Sequence, residues 1–209
     1  MFKKNGQDVN KIGIMGGTFD PIHIGHLIIG EIVREEYNLD EVLYIPVGDP
    51  PHKPSNQVVN ARHRCNMVSL AIEDNKYFKL SDMEIKRKGK TYTVDTLKEL
   101  HDIYGQGARF YFIIGGDTLF EVKSWRRVND VFKRCTFIVY NRWGFSDESL
   151  KEERQYLNET YDADILFAHG PLIDISSTYI RKAIKGGRTV KYLVPDKVLY
   201  YIEEKRIYK

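Results

Sequence analysis

Two imidazoles three residues apart, His23 and His26, follow the run Gly16-Gly17-Thr18-Phe19-Asp20-Pro21-Ile22 in a chain of 209 residues. On a helix this spacing places both rings on one face of a single turn. Gly16 and Gly17 carry no Cβ, so the backbone ahead of that turn can bend sharply and approach a ligand closely. Pro21 stands just before the helix start, where a missing N–H costs little. Such a helix start offers its free N–H groups to an anion. Two imidazoles beside it point to chemistry on a nucleotide phosphate. Other readings of these residues are weaker. The dinucleotide fingerprint G-x-G-x-x-G fails because the glycines fall at 13, 16 and 17. A zinc site from His23, His26 and Asp20 lacks a nearby cysteine and the H-E-x-x-H form. A satisfied structural histidine accounts for one imidazole more readily than for two beside Gly-Gly-Thr.

The elements that must hold these rings follow from periodicity. Lys11 to Met15 reads as a buried strand, and Ile24, Leu27, Ile28, Ile32 and Val33 recur at helical spacing from near His23 to about Tyr37. Glu41 to Val47 reads as a second strand, so the unit is a right-handed crossover between parallel strands. The Pro-rich loop Asp49 to Asn56 leaves the carboxyl end of that strand, where ligands of open α/β sheets bind, and it carries His52 and Lys53. Ala61 to Asp74 is expected to be a helix with Cys65, Val68, Ala71 and Ile72 inward. Arg62 and Arg64 oppose its dipole; a ligand, a carboxylate and a solvated face all remain open for them. Phe78 to Ile85 reads as a strand and Lys86 to Lys90 as a basic loop. Gly89-Lys90-Thr91 fails as a P-loop because the motif's first glycine would fall at Glu84.

Thr93 to Tyr104 is expected to be a helix capped by Thr93, with Val94, Leu97, Leu100 and Ile103 buried. Arg109 to Ile114 is a β-prone run ending at Gly115-Gly116-Asp117. Asp117 can accept hydrogen bonds from ribose hydroxyls there, or cap a helix from Thr118 to Val122. Trp125 lies among charged residues, which predicts partial exposure and an open ring face. Asp130 to Arg134 completes a helix, and Thr136 to Tyr140 and Asp164 to Ala168 read as strands. Residues 141–162 read as a peripheral charged loop with some helix from Asp147 to Leu157. Leu172 to Ile175 is extended. Ser176, Ser177 and Thr178 are N-cap candidates for a helix to Lys185, a second phosphate-binding helix start, with Arg181 one turn inside. A closing helix runs from Asp196 to Arg206, with Val198, Leu199 and Ile202 inward.

These units predict a single α/β domain over residues 1–209, with residues 1–10 a polar N-terminal extension and a small C-terminal helical portion. Five or six β/α units make one doubly wound parallel sheet. The 42% hydrophobic content suits one full core. A net charge of +3 favours small anions and is weak evidence for nucleic acid. Cys65 and Cys135 form no C-x-x-C pair, and no apolar run reaches membrane length.

The stretch from Gly16 to His26 resembles the signature of the HxGH nucleotidyltransferases. Together with Pro50-Pro51-His52-Lys53 and Ile175-Ser176-Ser177-Thr178-Tyr179-Ile180-Arg181 it looks like the bacterial nicotinate-mononucleotide adenylyltransferase family, from about Lys11 to Tyr208. The resemblance implies a Rossmann-like nucleotidyltransferase fold and adenylyl transfer from ATP to nicotinate mononucleotide, a late step of NAD biosynthesis. It implies catalytic roles for His23, His26, Lys53 and Arg181. It assigns ATP to Gly16, Gly17, Thr18, Phe19, Gly25, Asp117, Ile175, Ser176 and Ser177. It assigns nicotinate mononucleotide to Tyr92, Thr93, Trp125 and Arg126. Mg²⁺ would arrive with ATP, and no residue is assigned to a metal. A cytoplasmic enzyme without nucleic-acid or membrane partners is expected, and a homo-oligomer is left open. The alternatives are another HxGH transferase, acting on phosphopantetheine, nicotinamide mononucleotide or a cytidylyl acceptor, and a nucleotide-sensing module without turnover. A class I aminoacyl-tRNA synthetase shares the His-Ile-Gly-His spelling, but 209 residues leave no room for a tRNA-binding domain.

Overall fold

Alternation along each strand sends Ile12 and Ile14, Leu43 and Ile45, Phe110 and Phe112, and Phe137 and Val139 into one apolar cluster. The intervening Val42 and Tyr44, Ile113, and Ile138 and Tyr140 enter another. A period of two thus buries both faces of one sheet. In the computed structural model, which describes residues 10–48, 58–87, 89–105, 107–141 and 146–209, that sheet has six strands. They are β1 (Asn10–Gly17), β2 (Glu41–Pro46), β3 (Phe78–Leu80), β4 (Ala108–Gly115), β5 (Thr136–Tyr140) and β6 (Ile165–Ala168). All pair in parallel, in the order β3-β2-β1-β4-β5-β6. The chain winds outward from β1 to β3, then returns beside β1 as β4. The carboxyl ends of β1 and β4 therefore flank the switch point of a doubly wound sheet, where such folds bind ligands.

The helices are α1 (Ile24–Glu36), α2 (Ala61–Ile72), α3 (Met83–Lys86), α4 (Thr93–Tyr104), α5 (Gly116–Glu121), α6 (Val128–Phe132), α7 (Asp147–Tyr161), α8 (Ser177–Lys185) and α9 (Asp196–Glu204). Their buried residues divide between the two clusters. Helices α4, α6 and α7 cover one face, and α1, α2, α8 and α9 the other. Among the described residues, no helix is long and apolar enough to cross a membrane.

Several expectations need correction. Phe78 to Ile85 is not one strand: β3 stops at Leu80, and Asp82 starts α3 by accepting from the Ile85 and Lys86 N–H groups. Ile103 is 64% exposed; its neighbour Tyr104 turns inward instead and donates to Glu41 at 2.9 Å. Thr93 is the first residue of α4 and Tyr92 its N-cap. Asp117 does not cap α5, because Gly115 takes that place. Within residues 141–162 the helix expected from Asp147 to Leu157 is present and runs on to Tyr161. Their described part is mostly α7, 15 residues long, capped by Ser146 and docked through buried Leu150 and Leu157. Cys65 and Ala71 are half-buried, while Arg64 and Met67 face inward. Asn10 begins β1; residues 1–9 of the polar extension lie outside the described residues.

Arg64 is the least expected of these, because a charged side chain at 1% exposure is rare. Its guanidinium donates to the carbonyls of Thr18 at 2.7 Å, Val47 at 2.7 Å, Gly48 at 3.1 Å and Val59 at 3.0 Å. One planar fork thus ties the exits of β1 and β2 to the entrance of α2. Replacing Arg64 by Leu leaves these carbonyls buried without donors, each costing about 1–3 kcal/mol where no water replaces the lost bond. Arg64→Leu should lower stability by roughly 3 kcal/mol and the melting temperature by roughly 6–12 °C. Urea and thermal unfolding measure this, and a loss below about 1 kcal/mol would show the clasp to be dispensable.

Candidate active site

The glycine turn after β1 feeds directly into α1. Phe19 takes a left-handed conformation at φ 50° and buries its ring against His26, edge to face at 5.1 Å. His23 becomes the N-cap of α1. Its main-chain N–H donates to His26 Nδ1 at 3.2 Å, and the two imidazoles overlap with centroids 3.7 Å apart. Because Nδ1 of His26 accepts, Nε2 is the nitrogen that carries the proton in the neutral ring. His23 is buried at 3% exposure, behind His26. Gly25 lies against the His23 ring. A Cβ there would stand 3.1 Å from both the His23 ring and Ile173.

A cleft of about 640 Å³ opens at the switch point. Gly16, Gly17, Thr18 and His26 form one wall; Thr91, Tyr92 and Thr93 a second; and Gly115, Asp117, Trp125 and Arg126 a third. Trp125 is half-buried. Its ring packs on Phe112 at 5.8 Å and Phe137 at 6.1 Å, which fixes its plane without covering it. The Arg126 guanidinium lies 4.6 Å over the Tyr92 ring and joins two walls. Thr93, as first residue of α4, has an N–H outside the helical ladder.

A second cluster lies at the start of α8. The Ser176 hydroxyl caps that helix by accepting from Tyr179 N–H at 3.2 Å. Ser177 donates to the Pro21 carbonyl at 2.8 Å and Arg181 to the Asp20 carbonyl at 2.8 Å. The structure therefore brings Arg181 to the Gly16–His26 turn across most of the chain. Ile175 packs half-buried beside it. His23, Phe19, Gly25, Ile175, Ser176, Ser177 and Arg181 frame the turn rather than line the cleft. His52 and Lys53 lie outside the described residues.

Glu84 lines the cleft and was not expected to. It is 9% exposed and accepts from the Thr96 hydroxyl at 2.7 Å. Arg87 donates to that same hydroxyl at 3.0 Å and to Glu99 at 2.6 Å. Gly48 makes room for this corner, since a Cβ there would collide with the Glu84 carbonyl. Burial pushes the Glu84 carboxyl up from its ordinary value, against the hydrogen bond from Thr96, the nearby Thr91 hydroxyl and the charge of Arg87. The Glu84-x-x-Arg87 pair was the available signal, obscured by reading the segment as strand.

The cytidylyltransferase-like family profile matches residues 14–183. A protein of Thermoanaerobacter sp. named "probable nicotinate-nucleotide adenylyltransferase" is 43% identical over 199 residues, covering 95% of this chain and 94% of its own. One of Desulfitobacterium hafniense with the same name is 44% identical over 202 residues, covering 95% and 96%. The solved nicotinic acid mononucleotide adenylyltransferase of Plasmodium falciparum, complexed with NaAD, has the same fold, with a TM-score of 0.79 at 23% identity over 95% of this chain and 97% of that one.

A carboxyl whose pKa is raised by folding stabilises the fold when protonated. That contribution is complete below the unfolded value of about 4.3 and is lost as pH rises through the higher folded value. Gln at position 84 stays neutral throughout. The stability of the natural chain relative to Glu84→Gln should therefore fall as pH rises above about 4.3 and level off once the folded carboxyl has ionised. Urea midpoints of both proteins across this range test the sign; a relative gain with pH would mean that Arg87 and the hydroxyls outweigh burial.

Proposed function

The chain belongs to the cytidylyltransferase-like family, among relatives named nicotinate-nucleotide adenylyltransferases, and we propose that it transfers the adenylyl group of ATP to nicotinate mononucleotide. The products are nicotinate adenine dinucleotide and pyrophosphate. The observation that carries this reading is one cleft with His26, backed by buried His23, at its glycine-turn end and Trp125 with Arg126 at the other. A nucleotide phosphate suits the first end and an aromatic ring with an acidic substituent the second.

In this mechanism an oxygen of the acceptor phosphate attacks the α-phosphorus in line. The bond from that phosphorus to the oxygen bridging to the β-phosphate breaks, and pyrophosphate leaves. A phosphate nucleophile is already ionised near neutral pH, so no general base is required. Catalysis then rests on positioning and charge stabilisation. Thr18 and the main chain at Gly16, Gly17 and Phe19 cradle the α-phosphate. His26 donates from Nε2 to the transferred group, with His23 stacked behind it. Lys53, Arg181 and the α8 start at Ile175, Ser176 and Ser177 take the outer phosphates. Gly25 gives the imidazole pair its room, and Asp117 meets the ribose. The donor is the Mg²⁺ complex of ATP, the metal travelling with its phosphates and waters. The cytoplasm suits such an enzyme, and it keeps free Cys65 and Cys135 reduced.

Stacking on Trp125 does not tell acid from amide, because both pyridine rings present a similar face. Discrimination falls to donors: the Thr93 hydroxyl and N–H, and the main chain near Arg126. A carboxylate accepts from all of them, whereas an amide turns its NH₂ toward at least one. An unpaired buried donor costs roughly 1–3 kcal/mol, so a preference of about tenfold or more is expected. Pyrophosphate release from ATP should be fastest with nicotinate mononucleotide and at least about tenfold slower in kcat/KM with nicotinamide mononucleotide. It should be absent with phosphopantetheine or glycerol phosphate. Thr93→Val should shrink the acid-to-amide ratio. No release with any acceptor would leave a nucleotide-binding module.

His26→Ala removes one preorganised donor and should lower kcat by roughly 10²–10³, with a much smaller effect on ATP affinity. Near-normal turnover in that variant would take His26 out of the mechanism.

A further inference from the structure

The segment after α9 turns back on itself. Arg206 and Tyr208 both take left-handed backbone conformations, at φ 52° and 69°. Between them Ile207 is buried, its N–H bonded to the Ile202 carbonyl at 3.0 Å. This turn carries Tyr208 to the loop before α1, where its hydroxyl donates to Asp20 Oδ1 at 2.6 Å across 188 residues of sequence. Burial, with the Asp20 charge beside it, pushes the phenol up from its ordinary value, so it remains a donor. Asp20 itself is 3% exposed.

Asp20 is also where Arg181 is fastened. Arg181 Nη1 holds the Asp20 main-chain carbonyl at 2.8 Å, yet its guanidinium stands 4.0 Å from Asp20 Oδ2. Nη2 makes a longer contact of 3.4 Å with Thr178 Oγ1. A carboxylate and a guanidinium this close ordinarily pair fork to fork. Here the carboxylate is pinned through its other oxygen by a short bond from the phenol.

We propose that Tyr208 is a positioning residue for ATP: by holding Asp20 Oδ1 it keeps the carboxylate from closing on Arg181, and so leaves that guanidinium poised for the outer phosphates. This rests on the role given to Arg181 in the proposed function. Removing the phenol oxygen frees the carboxylate to turn toward Arg181, and the triphosphate must then pull the arginine away from a tighter pair.

Steady-state kinetics of Tyr208→Phe should show KM for ATP raised about fivefold, the scale of one net hydrogen bond. KM for nicotinate mononucleotide and kcat should stay within about twofold. Both KM values come from one preparation, so a smaller folded fraction lowers apparent kcat and leaves their ratio unchanged. In an Arg181→Ala background the same substitution should add less than about twofold, because its route is gone. An unchanged KM ratio, or the full effect persisting without Arg181, overturns the proposal. Calorimetric titration reads the same contact without turnover: Tyr208→Phe should weaken ATP and leave AMP nearly constant, and equal loss for both again overturns it. If the natural chain binds ATP but releases no pyrophosphate with any acceptor, the proposed function fails while this titration still decides on Tyr208.

Discussion

A glycine turn that leaves its own N–H groups for a ligand cannot use them to hold itself in place, and in this fold Arg64 supplies the restraint from behind. Its donors go to carbonyls at the exits of β1 and β2 and at the entry to α2. Burial lowers the Arg64 pKa, with the nearby Asp20 carboxylate opposing that shift. An arginine starts so far above neutrality that it stays charged. The Thr18 carbonyl of the turn is thereby occupied on the core side. A lysine could not replace this fork, since one ammonium has neither the planarity nor the reach to serve two strands at once.

The same division recurs around the cleft. The start of α4 brings its positive end to the cleft wall at Thr93, and the starts of α1 and α8 meet at the glycine turn. Buried carboxylates stand against them from the protein side: Asp20 beneath the first turn and Glu84 beneath the second wall. Each is met by hydroxyls, Tyr208 for Asp20 and Thr96 for Glu84, with an arginine close by. A fixed arrangement of this kind needs little reorganisation when charge arrives, which is the condition for electrostatic stabilisation.

Much of this was legible because it depends on short-range regularities. Five of the strands follow from β-branched and aromatic runs, and the glycine turn and the α8 cap follow from residue types at fixed offsets. Motif logic gave Arg181 to the outer phosphates of ATP, and no local pattern announced its bond to the Asp20 carbonyl. The failures share a cause, namely tertiary contacts that no window of sequence contains. Arg64 is buried because four carbonyls converge on it. Ile103 is exposed because Tyr104 finds Glu41. Helix α7 docks through Leu150 and Leu157, two contacts a full two turns apart, which is too narrow a stripe to register as amphipathic. Glu84 was hidden by an edge strand that ends after three residues.

The sheet order also dictates when the site can come into being. Central strand β1 pairs with β2 nearby in sequence, but its other edge waits for β4, where Asn10 meets Ala108. During synthesis, β1, β2 and β3 leave the ribosome first and can associate as half a sheet with an open edge. The cleft gains its far wall only when β4 arrives. Arg181 reaches the glycine turn later still, across 161 residues of chain. Contacts this distant in sequence cost loop-closure entropy before they stabilise anything, which slows folding. Nucleotide binding is therefore a late acquisition of the nascent chain, and until β4 pairs, the exposed edge of β1 is the surface most in need of protection from other strands.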